Sequence, residues 1–137
     1  MAFFQNGLLF LQDMNKTQYH VVGIMSGTSL DGVDLVAATF SLKDGSWAYQ
    51  IGASQTVPYS KYWHDVLRDL VLQSKEALEQ IDWDYTTYLA GIIQNFIVAN
   101  KLEALDAICS HGHTALHQPE KRLTYQIGNL SHLYELL

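Results

Sequence analysis

A glycine- and hydroxyl-rich stretch near the N-terminus has the composition of an anion-binding loop. It reads GTSLDGVD, residues 27–34, and lies between two apolar runs. The hydroxyls of Thr28 and Ser29 stand beside Gly27, whose missing side chain lets an anion approach the backbone N–H groups. This combination predicts a phosphate cradle. The alternative is a plain hairpin loop, in which the glycines provide positive φ angles and Asp31-Gly32 forms a turn.

The same stretch contains the carboxylates that a counter-ion for phosphate would need. It matches neither the lysine-containing phosphate loop nor the GxGxxG pattern, and no lysine lies between positions 17 and 42. A magnesium ion is then the expected counter-charge, with Asp31 and Asp34 as the nearest carboxylates. Asp34 lies on an otherwise apolar strand, so it is either a partnered buried acid or a site residue.

A second polar cluster, CSHGHTALHQP at 109–119, has residues that bind metals. The two-residue period of a strand places Cys109, His111 and His113 on one face, and His117 follows closely. This pattern would suit zinc or another transition metal in a hydrolase. No carboxylate occurs inside the cluster, however, and histidines in such a run more often supply hydrogen bonds than a complete ligand set. A satisfied core histidine at position 111 is the other alternative.

Length, charge and cysteine content restrict the class of protein. A chain of 137 residues with 48% hydrophobic content is long enough for one domain. Its 14 acidic and 8 basic residues give a net charge of -6, which argues against nucleic acid as a partner. The apolar clusters at the N-terminus are shorter than the roughly 20 residues of a membrane span, so we expect no membrane anchor. Cys109 is the only cysteine, and we therefore expect no internal disulfide and a cytoplasmic location.

The elements that must position these residues follow from the hydrophobic pattern. Apolar runs predict three consecutive strands, after which the spacing of apolar residues becomes helical. In the third strand we expect one face to be exposed to solvent. Its large side chains, Trp47, Tyr49, Ile51 and Val57, should share a face opposite Gln50, Ser54 and Thr56. The predicted elements are strands 19–25, 33–40 and 47–57, a helix capped by Ser60 and running to Val71, a helix from Ser74 to about Asn100, strands 105–112 and 123–128, and a helix within 129–137.

This order predicts an α/β protein with a mixed sheet. Three consecutive strands form an antiparallel meander, and a strand that returns after a helical crossover joins it in parallel. The final helix has an apolar stripe, and we expect Leu133, Leu136 and Leu137 to have nothing downstream that covers them. The domain is therefore expected to be incomplete in this chain. A non-catalytic half-domain that self-associates through these leucines is a further alternative.

Three motifs together resemble one enzyme family. GIMSGTSLDGVD, SHGHTALHQP and LTYQIGN, in this order and spacing, resemble the N-terminal part of anhydro-N-acetylmuramic acid kinases over residues from about 20 to 137. The resemblance implies the actin-like ATPase (ribonuclease H-like) fold of the sugar kinase, Hsp70 and actin superfamily, with three antiparallel N-terminal strands and flanking helices. It divides the chain into an N-terminal extension, 1–19, and the N-terminal part of the first actin-like domain, 20–137, without a second domain.

The resemblance also implies a reaction. ATP with Mg²⁺ would be the phosphoryl donor, and 1,6-anhydro-N-acetylmuramic acid from cell-wall recycling the acceptor. Water would open the anhydro ring while the γ-phosphoryl group passes to the released sugar oxygen, giving N-acetylmuramic acid 6-phosphate. The implied partners are thus an amino sugar and ATP, with a homodimer as a further expectation. The catalytic aspartate of the family is expected beyond Leu137, so we expect the isolated chain to have no kinase activity.

Carried onto this sequence, the resemblance assigns a role to each motif. The first motif would hold the nucleotide phosphates, and the other two would form the sugar side of the cleft. Met25 stands where other sugar kinases of the superfamily have a metal-organising aspartate, which makes Asp31 the expected Mg²⁺ ligand. The family usually has glutamine in place of His113 and often aspartate in place of Asn129. The implied ATP-binding residues are Gly27, Thr28, Ser29, Leu30, Asp31, Gly32, Val33 and Asp34, and the implied sugar-binding residues are His111, Gly112, Thr114, Gln126, Ile127 and Gly128.

Overall fold

A four-stranded mixed sheet forms the framework that holds the loop at 27–31. In this computed structural model, which describes residues 16–137, three strands pair as an antiparallel meander, and a fourth strand pairs parallel to the first. The strand order is β3-β2-β1-β4, which confirms the predicted mixed sheet. The strands are β1 (Gln18–Ser26), β2 (Gly32–Lys43), β3 (Ser46–Pro58) and β4 (Ala107–Ser110).

Most of the predicted N-terminal extension, 1–19, lies outside the described residues. Its last two positions, Gln18 and Tyr19, already belong to β1. Within the described range, none of the helices is both long and apolar enough to cross a membrane.

Two helices follow the meander and start where their capping serines predict. The hydroxyl of Ser60 accepts a hydrogen bond from the Trp63 N–H at the start of α1 (Lys61–Arg68), and the Ser74 hydroxyl does the same for Ala77 in α2 (Lys75–Ala99). The first helix is shorter than predicted. It ends at Arg68, and a 3₁₀ turn then buries Leu70 but leaves Val71 exposed.

The core lies between one face of the sheet and the helices. We call this face the inner face; it carries Val22 and Ile24 of β1 and Val33 and Leu35 of β2. These side chains pack into one cluster with apolar residues of α2, among which Tyr85, Leu89, Ile93 and Phe96 are almost completely buried. Each fully buried side chain of this size contributes about 1.5–3 kcal/mol relative to an exposed one.

A bulge in β3 changes the face on which its side chains lie. Ala38 pairs with Ile51 but Val36 pairs with Ser54, so Gly52 and Ala53 together oppose one residue of β2. The extra residue reverses the alternation, and the prediction of one continuous face was wrong. Trp47, Tyr49 and Ile51 share the outer face with Ser54 and Thr56, whereas Val57 lies on the inner face opposite Val33.

The outer face of the sheet carries large side chains that remain in contact with solvent. Trp47, Tyr49 and Ile51 are 55%, 72% and 54% exposed. They lie beside Tyr19 and Phe40, with ring centroids 5.9 Å apart for Tyr19 and Trp47 and 6.4 Å apart for Phe40 and Tyr49. The third strand therefore contributes its apolar residues to a surface rather than to the core.

A separate two-stranded hairpin follows β4, and the sequence pattern did not predict its first strand. It consists of β5 (His113–Gln118) and β6 (Leu123–Ile127) and is followed by the short helix α3 (His132–Leu136). Leu133 is buried in the core, and Leu137 packs against it. The expectation that both would be uncovered was therefore wrong; of that stripe, Leu136 is the exposed leucine.

Candidate functional site: the loop between β1 and β2 and the β5–β6 hairpin

The loop between β1 and β2 is not built as the plain glycine turn would require. Neither Gly27 nor Gly32 has a positive φ; the loop residue that does is Leu30, at 59°. The chain therefore does not use these glycines for left-handed backbone.

Different surroundings explain the two loop glycines. A Cβ atom added at Gly32 would lie 2.4 Å from the carbonyl oxygen of Val57, so the close approach of β3 requires glycine at this position. At Gly27 the nearest atom to an added Cβ would be Oγ of Ser29 at 3.4 Å, an ordinary contact. The fold itself can accept a side chain at Gly27, and an approaching anion would use the room that the absent side chain leaves.

Most backbone amides of the loop are free of carbonyl partners. Among the N–H groups from Gly27 to Asp31, only that of Leu30 donates to a carbonyl oxygen within the described chain, to Gly27 at 3.4 Å. The hydroxyl of Thr28 is exposed and has no hydrogen-bond partner among residues 16–137. These donors are the groups that a phosphate would need.

Asp31 presents an ionised carboxylate at the surface of the loop. The Ser29 hydroxyl donates to it at 2.6 Å, and this bond, with the amides of Asp31 and Gly32, holds its pKa below the ordinary value of 3.8. One or two carboxylates, completed by phosphate oxygens and water, are a usual magnesium environment. Asp31 therefore fits the expected role of a single protein ligand.

Two of the implied ATP-binding residues lie away from the loop. The side chain of Val33 is buried in the core. That of Asp34 lies on the outer face, where its carboxylate accepts a hydrogen bond from Thr56 at 2.5 Å. Asp34 lines a groove of about 740 Å³, together with Met25 and His111. This volume is within the range of small-molecule pockets, and the groove brings a residue of the first motif close to one of the second.

The second and third motifs meet at the base of the hairpin. Gly112, with φ of 71°, packs so closely that an added Cβ would lie 2.6 Å from the Ile127 carbonyl oxygen and 2.5 Å from Nδ2 of Asn129. Thr114 and Gln126 are half-buried and pair across the two strands. Ile127 is completely buried, so it supports the base of the hairpin from inside. The structure thus brings the implied sugar-side residues together, and His111 lies at their exposed margin.

Asp82 holds this part of the structure in place, a role that was not predicted from the sequence. Its carboxylate is 3% exposed and accepts hydrogen bonds from the Gly128 N–H at 2.7 Å, the Tyr125 hydroxyl at 3.0 Å and the Thr86 hydroxyl at 3.3 Å. Gly128 has a φ of 89° and lies against Tyr85 and Leu89, so no side chain fits there. An aspartate between apolar residues on the buried stripe of a helix was the signal that could have revealed this role.

The base of the loop is joined to the hairpin by a buried hydrogen-bond cluster. We call Ser26, Tyr59, Tyr85 and His113 the Ser26 cluster. The Ser26 hydroxyl lies 2.6 Å from the hydroxyls of both tyrosines and 3.0 Å from Nδ1 of His113, and the two tyrosine hydroxyls lie 2.6 Å apart. His113 is 2% exposed. Its side chain therefore belongs to the support of the site rather than to its surface.

The histidines do not form the metal site considered above. His113 lies in the Ser26 cluster, His117 pairs with the Thr124 hydroxyl at 3.1 Å, and His111 contacts the carbonyl oxygen of Gly112 at 3.2 Å. Cys109 is in β4, and the positive φ of Gly112 separates that strand from β5, so the predicted common face does not exist. Residues 16–137 contain no group of three His, Cys, Asp or Glu side chains that could hold a metal ion. A metal-dependent hydrolase is therefore not favoured.

The sheet and the open loop at the end of its first strand define a mixed α/β domain, and comparisons with known proteins identify its family. A sequence model described as anhydro-N-acetylmuramic acid kinase matches residues 19–136. The chain belongs to this family.

Individual relatives agree with this assignment. A protein of Paramagnetospirillum magneticum named anhydro-N-acetylmuramic acid kinase is 38% identical over 110 residues, which are 79% of this chain and 30% of that protein. Proteins of the same name from Bradyrhizobium diazoefficiens and Acinetobacter baylyi are 36% and 34% identical, over 79% and 84% of this chain and 32% and 30% of their own lengths. The chain thus spans about a third of the length of these relatives.

Proposed function

We propose that this chain supplies the phosphate-binding wall of an ATP-dependent kinase that acts on 1,6-anhydro-N-acetylmuramic acid. Membership of the family supports the reaction. The observation that carries the assignment of the wall is the loop of residues 27–31, where amides without carbonyl partners adjoin a glycine that the fold does not require.

In this proposal the residues of the chain bind and orient two substrates. The amides of Gly27 to Ser29 and the Thr28 hydroxyl bind the nucleotide phosphates, and Asp31 is the protein ligand of the Mg²⁺ that accompanies them. Magnesium neutralises phosphate charge during phosphoryl transfer. Asp34 contributes to nucleotide binding from the groove on the outer face of the sheet. The hairpin binds the amino sugar through exposed His111 and through Thr114 and Gln126, and the buried residues 112, 127 and 128 shape the base of the cleft behind them.

The proposal extends to the fold and the setting of the protein. We propose that residues 20–137 form the N-terminal part of an actin-like ATPase (ribonuclease H-like) domain, since a meander extended by a parallel strand fits that arrangement. The enzyme would act in the cytoplasm, in cell-wall recycling. Phosphoryl transfer depends on positioning and charge stabilisation from both walls of a cleft. We therefore propose that these 137 residues alone do not turn over the sugar.

The test of the wall uses nucleotide binding rather than turnover. Mg-ATP is titrated into ¹⁵N-labelled chain while the backbone amide resonances are recorded. We expect the resonances of Gly27, Thr28 and Ser29 to shift with a common dissociation constant. ATP that shifts none of them would contradict the proposal.

The substitution of Gly27 by alanine tests Mg-ATP binding separately from folding. Gly27→Ala should leave the free energy of unfolding within about 0.5 kcal/mol of the wild type but weaken Mg-ATP binding, because the methyl group occupies the path of the phosphate. Gly91→Ala is the matched control, since its added Cβ in α2 would meet nothing within 4 Å. It should bind Mg-ATP like the wild type and raise stability by about 0.5–1 kcal/mol. Equal Mg-ATP affinity in both variants would argue against the loop as the phosphate site.

A further inference from the structure

The number of protons in the Ser26 cluster determines which nitrogen of His113 carries hydrogen. The cluster contains four short polar contacts: three among the hydroxyls of Ser26, Tyr59 and Tyr85, and one from Ser26 to Nδ1 of His113. Burial raises the pKa of both tyrosines, so each hydroxyl keeps its proton at neutral pH. Three hydroxyls supply three protons, and four contacts need four.

We propose that His113 is held as the Nδ1–H tautomer, donates to the Ser26 hydroxyl, and acts as a positioning residue that fixes the β1–β2 loop relative to the β5–β6 hairpin. The three hydroxyls then form a closed ring in which each donates to the next. Ser26 has one donor and two acceptor sites, and this arrangement fills all three of them. The 3.0 Å separation of Nδ1 and Oγ is an ordinary N–H···O distance.

The opposite tautomer leaves a contact without a proton. If Nδ1 accepted from Ser26, one of the three hydroxyl contacts at 2.6 Å would bring two lone pairs together inside the protein. Burial, aided by the nearby His111, also lowers the pKa of His113 below 6.5, so the neutral ring carries one proton at neutral pH. The titratable groups facing the His113 ring are Tyr85 and His111. Neither of them replaces the missing donor.

The hydrogen bond between His113 and Ser26 matters because of where the Ser26 cluster lies in the fold. Ser26 directly precedes Gly27, and His113 begins β5, between the implied sugar-side residues Gly112 and Thr114. Ser26 is 3% exposed and is held from α2 and the segment after β3 as well. The bond therefore connects the two halves of the proposed site, and this part of the inference rests on the proposed function.

Nuclear magnetic resonance reads the tautomer without any ligand. The two ring ¹⁵N chemical shifts of His113, assigned in the full chain near neutral pH, distinguish a protonated from an unprotonated nitrogen. We expect the Nδ1 resonance in the protonated range and the Nε2 resonance in the unprotonated range. The reverse pattern would overturn the proposal.

Substitutions test the positioning role. His113→Leu removes the donor, whereas His113→Gln keeps an N–H group that can reach Ser26 and does not titrate. We expect His113→Leu to shift the amide resonances of Gly27–Ser29 and to weaken Mg-ATP binding about tenfold, the effect of one lost buried hydrogen bond. His113→Gln should restore both towards the wild type. His117→Leu is the control, because His117 lies on the same strand outside the cluster.

Failure of this proposal can be separated from failure of the proposed function. A wild-type chain that does not bind ATP would contradict the proposed function. The ¹⁵N chemical shifts of the His113 ring and the amide resonances of the loop would still test the hydrogen bond between His113 and Ser26. If the amide resonances of the loop are unchanged in His113→Leu, the positioning role of His113 is overturned even when the chain binds ATP. If His113→Leu does not fold, Ser26→Ala removes the acceptor instead, and it must shift amides of the hairpin for the proposal to stand.

Discussion

Gly27 and Gly32 lie at the two ends of one loop, and different causes account for each glycine. Both are among the implied ATP-binding residues, because composition does not show what lies next to a backbone. The neighbour of Gly32 is the backbone of β3, whereas an added Cβ at Gly27 would make only ordinary contacts with Ser29. The phosphate-cradle hypothesis concerns only the first of the two positions, and the second is explained by packing.

The first prediction is that Gly32→Ala destabilises the chain by about 3 kcal/mol, because the new Cβ would lie 2.4 Å from a backbone oxygen that cannot move freely. Urea denaturation followed by circular dichroism measures the loss. Gly27→Ala serves as the comparison within the same loop. If Gly32→Ala lowers the free energy of unfolding no more than Gly27→Ala does, the backbone of β3 can move to accommodate the new Cβ.

The second prediction concerns pH. Burial lowers the pKa of His113 below its ordinary value of 6.5, so between the two values the folded chain binds fewer protons than the unfolded chain. The free energy of unfolding must therefore rise with pH across this interval and fall as the solution is acidified through it. Denaturation at pH 7, 6 and 5 measures the slope. His113→Gln should flatten it, and an identical slope in that variant would assign the effect to other groups.

Polar residues inside the core mark the limit of what the sequence shows at this scale. The loop glycines and hydroxyls could be selected by type and spacing. The partners of Asp82 and Ser26 could not, because Tyr85 lies 59 residues from Ser26 and Gly128 lies 46 residues from Asp82. Only the fold brings such pairs together.

At the scale of elements, local signals located the helices well and the hairpin poorly. Ser60 and Ser74 mark helix starts through their own side chains, and the caps are where they were predicted. The segment HTALHQ has no clear alternation, and the one extra residue of its bulge between Thr114 and Leu116 disturbs the pattern further. The strand β5 exists because β6 pairs with it, and pairing of this kind is not visible in a short segment.

The third prediction is that the hairpin depends on one residue of α2. Asp82→Ala should destabilise the chain by about 3 kcal/mol, since it leaves the buried Gly128 N–H and the Tyr125 hydroxyl without their acceptor. Asp84→Ala is the matched control, because Asp84 is exposed and accepts a bond from Gln80 only at the helix surface. Hydrogen exchange should show the Gly128 amide losing protection in the first variant alone.

At the scale of the whole molecule, the outer face of the sheet is the largest departure from expectation. The uncovered apolar residues were expected on the C-terminal helix, but four large ones, Phe40, Trp47, Tyr49 and Ile51, lie together on β2 and β3. The meander and the added parallel strand were predictable because they follow from element order. The face on which β3 presents its large side chains was not, because one extra residue decides it.

The fourth prediction is that a homodimer, if it forms, uses this outer face, because exposed apolar patches are characteristic of interaction sites. Sedimentation should show concentration-dependent association that salt strengthens by screening the charge of -6. Tyr49→Lys should weaken it, whereas Tyr62→Lys, a change of an exposed tyrosine on α1, should not. Association unaffected by Tyr49→Lys would place the contact elsewhere.

The bulge in β3 also makes one residue of this strand unnecessary for its pairing. Deletion of Gly52 would leave Ala53 alone opposite Ala37, and the pairs on both sides of the bulge would join in one regular ladder. Every remaining side chain of the strand would keep its face, because the register on either side is unchanged. The deletion would remove the local bend that a bulge gives a strand, so the sheet would lose curvature without losing its two-sided pattern.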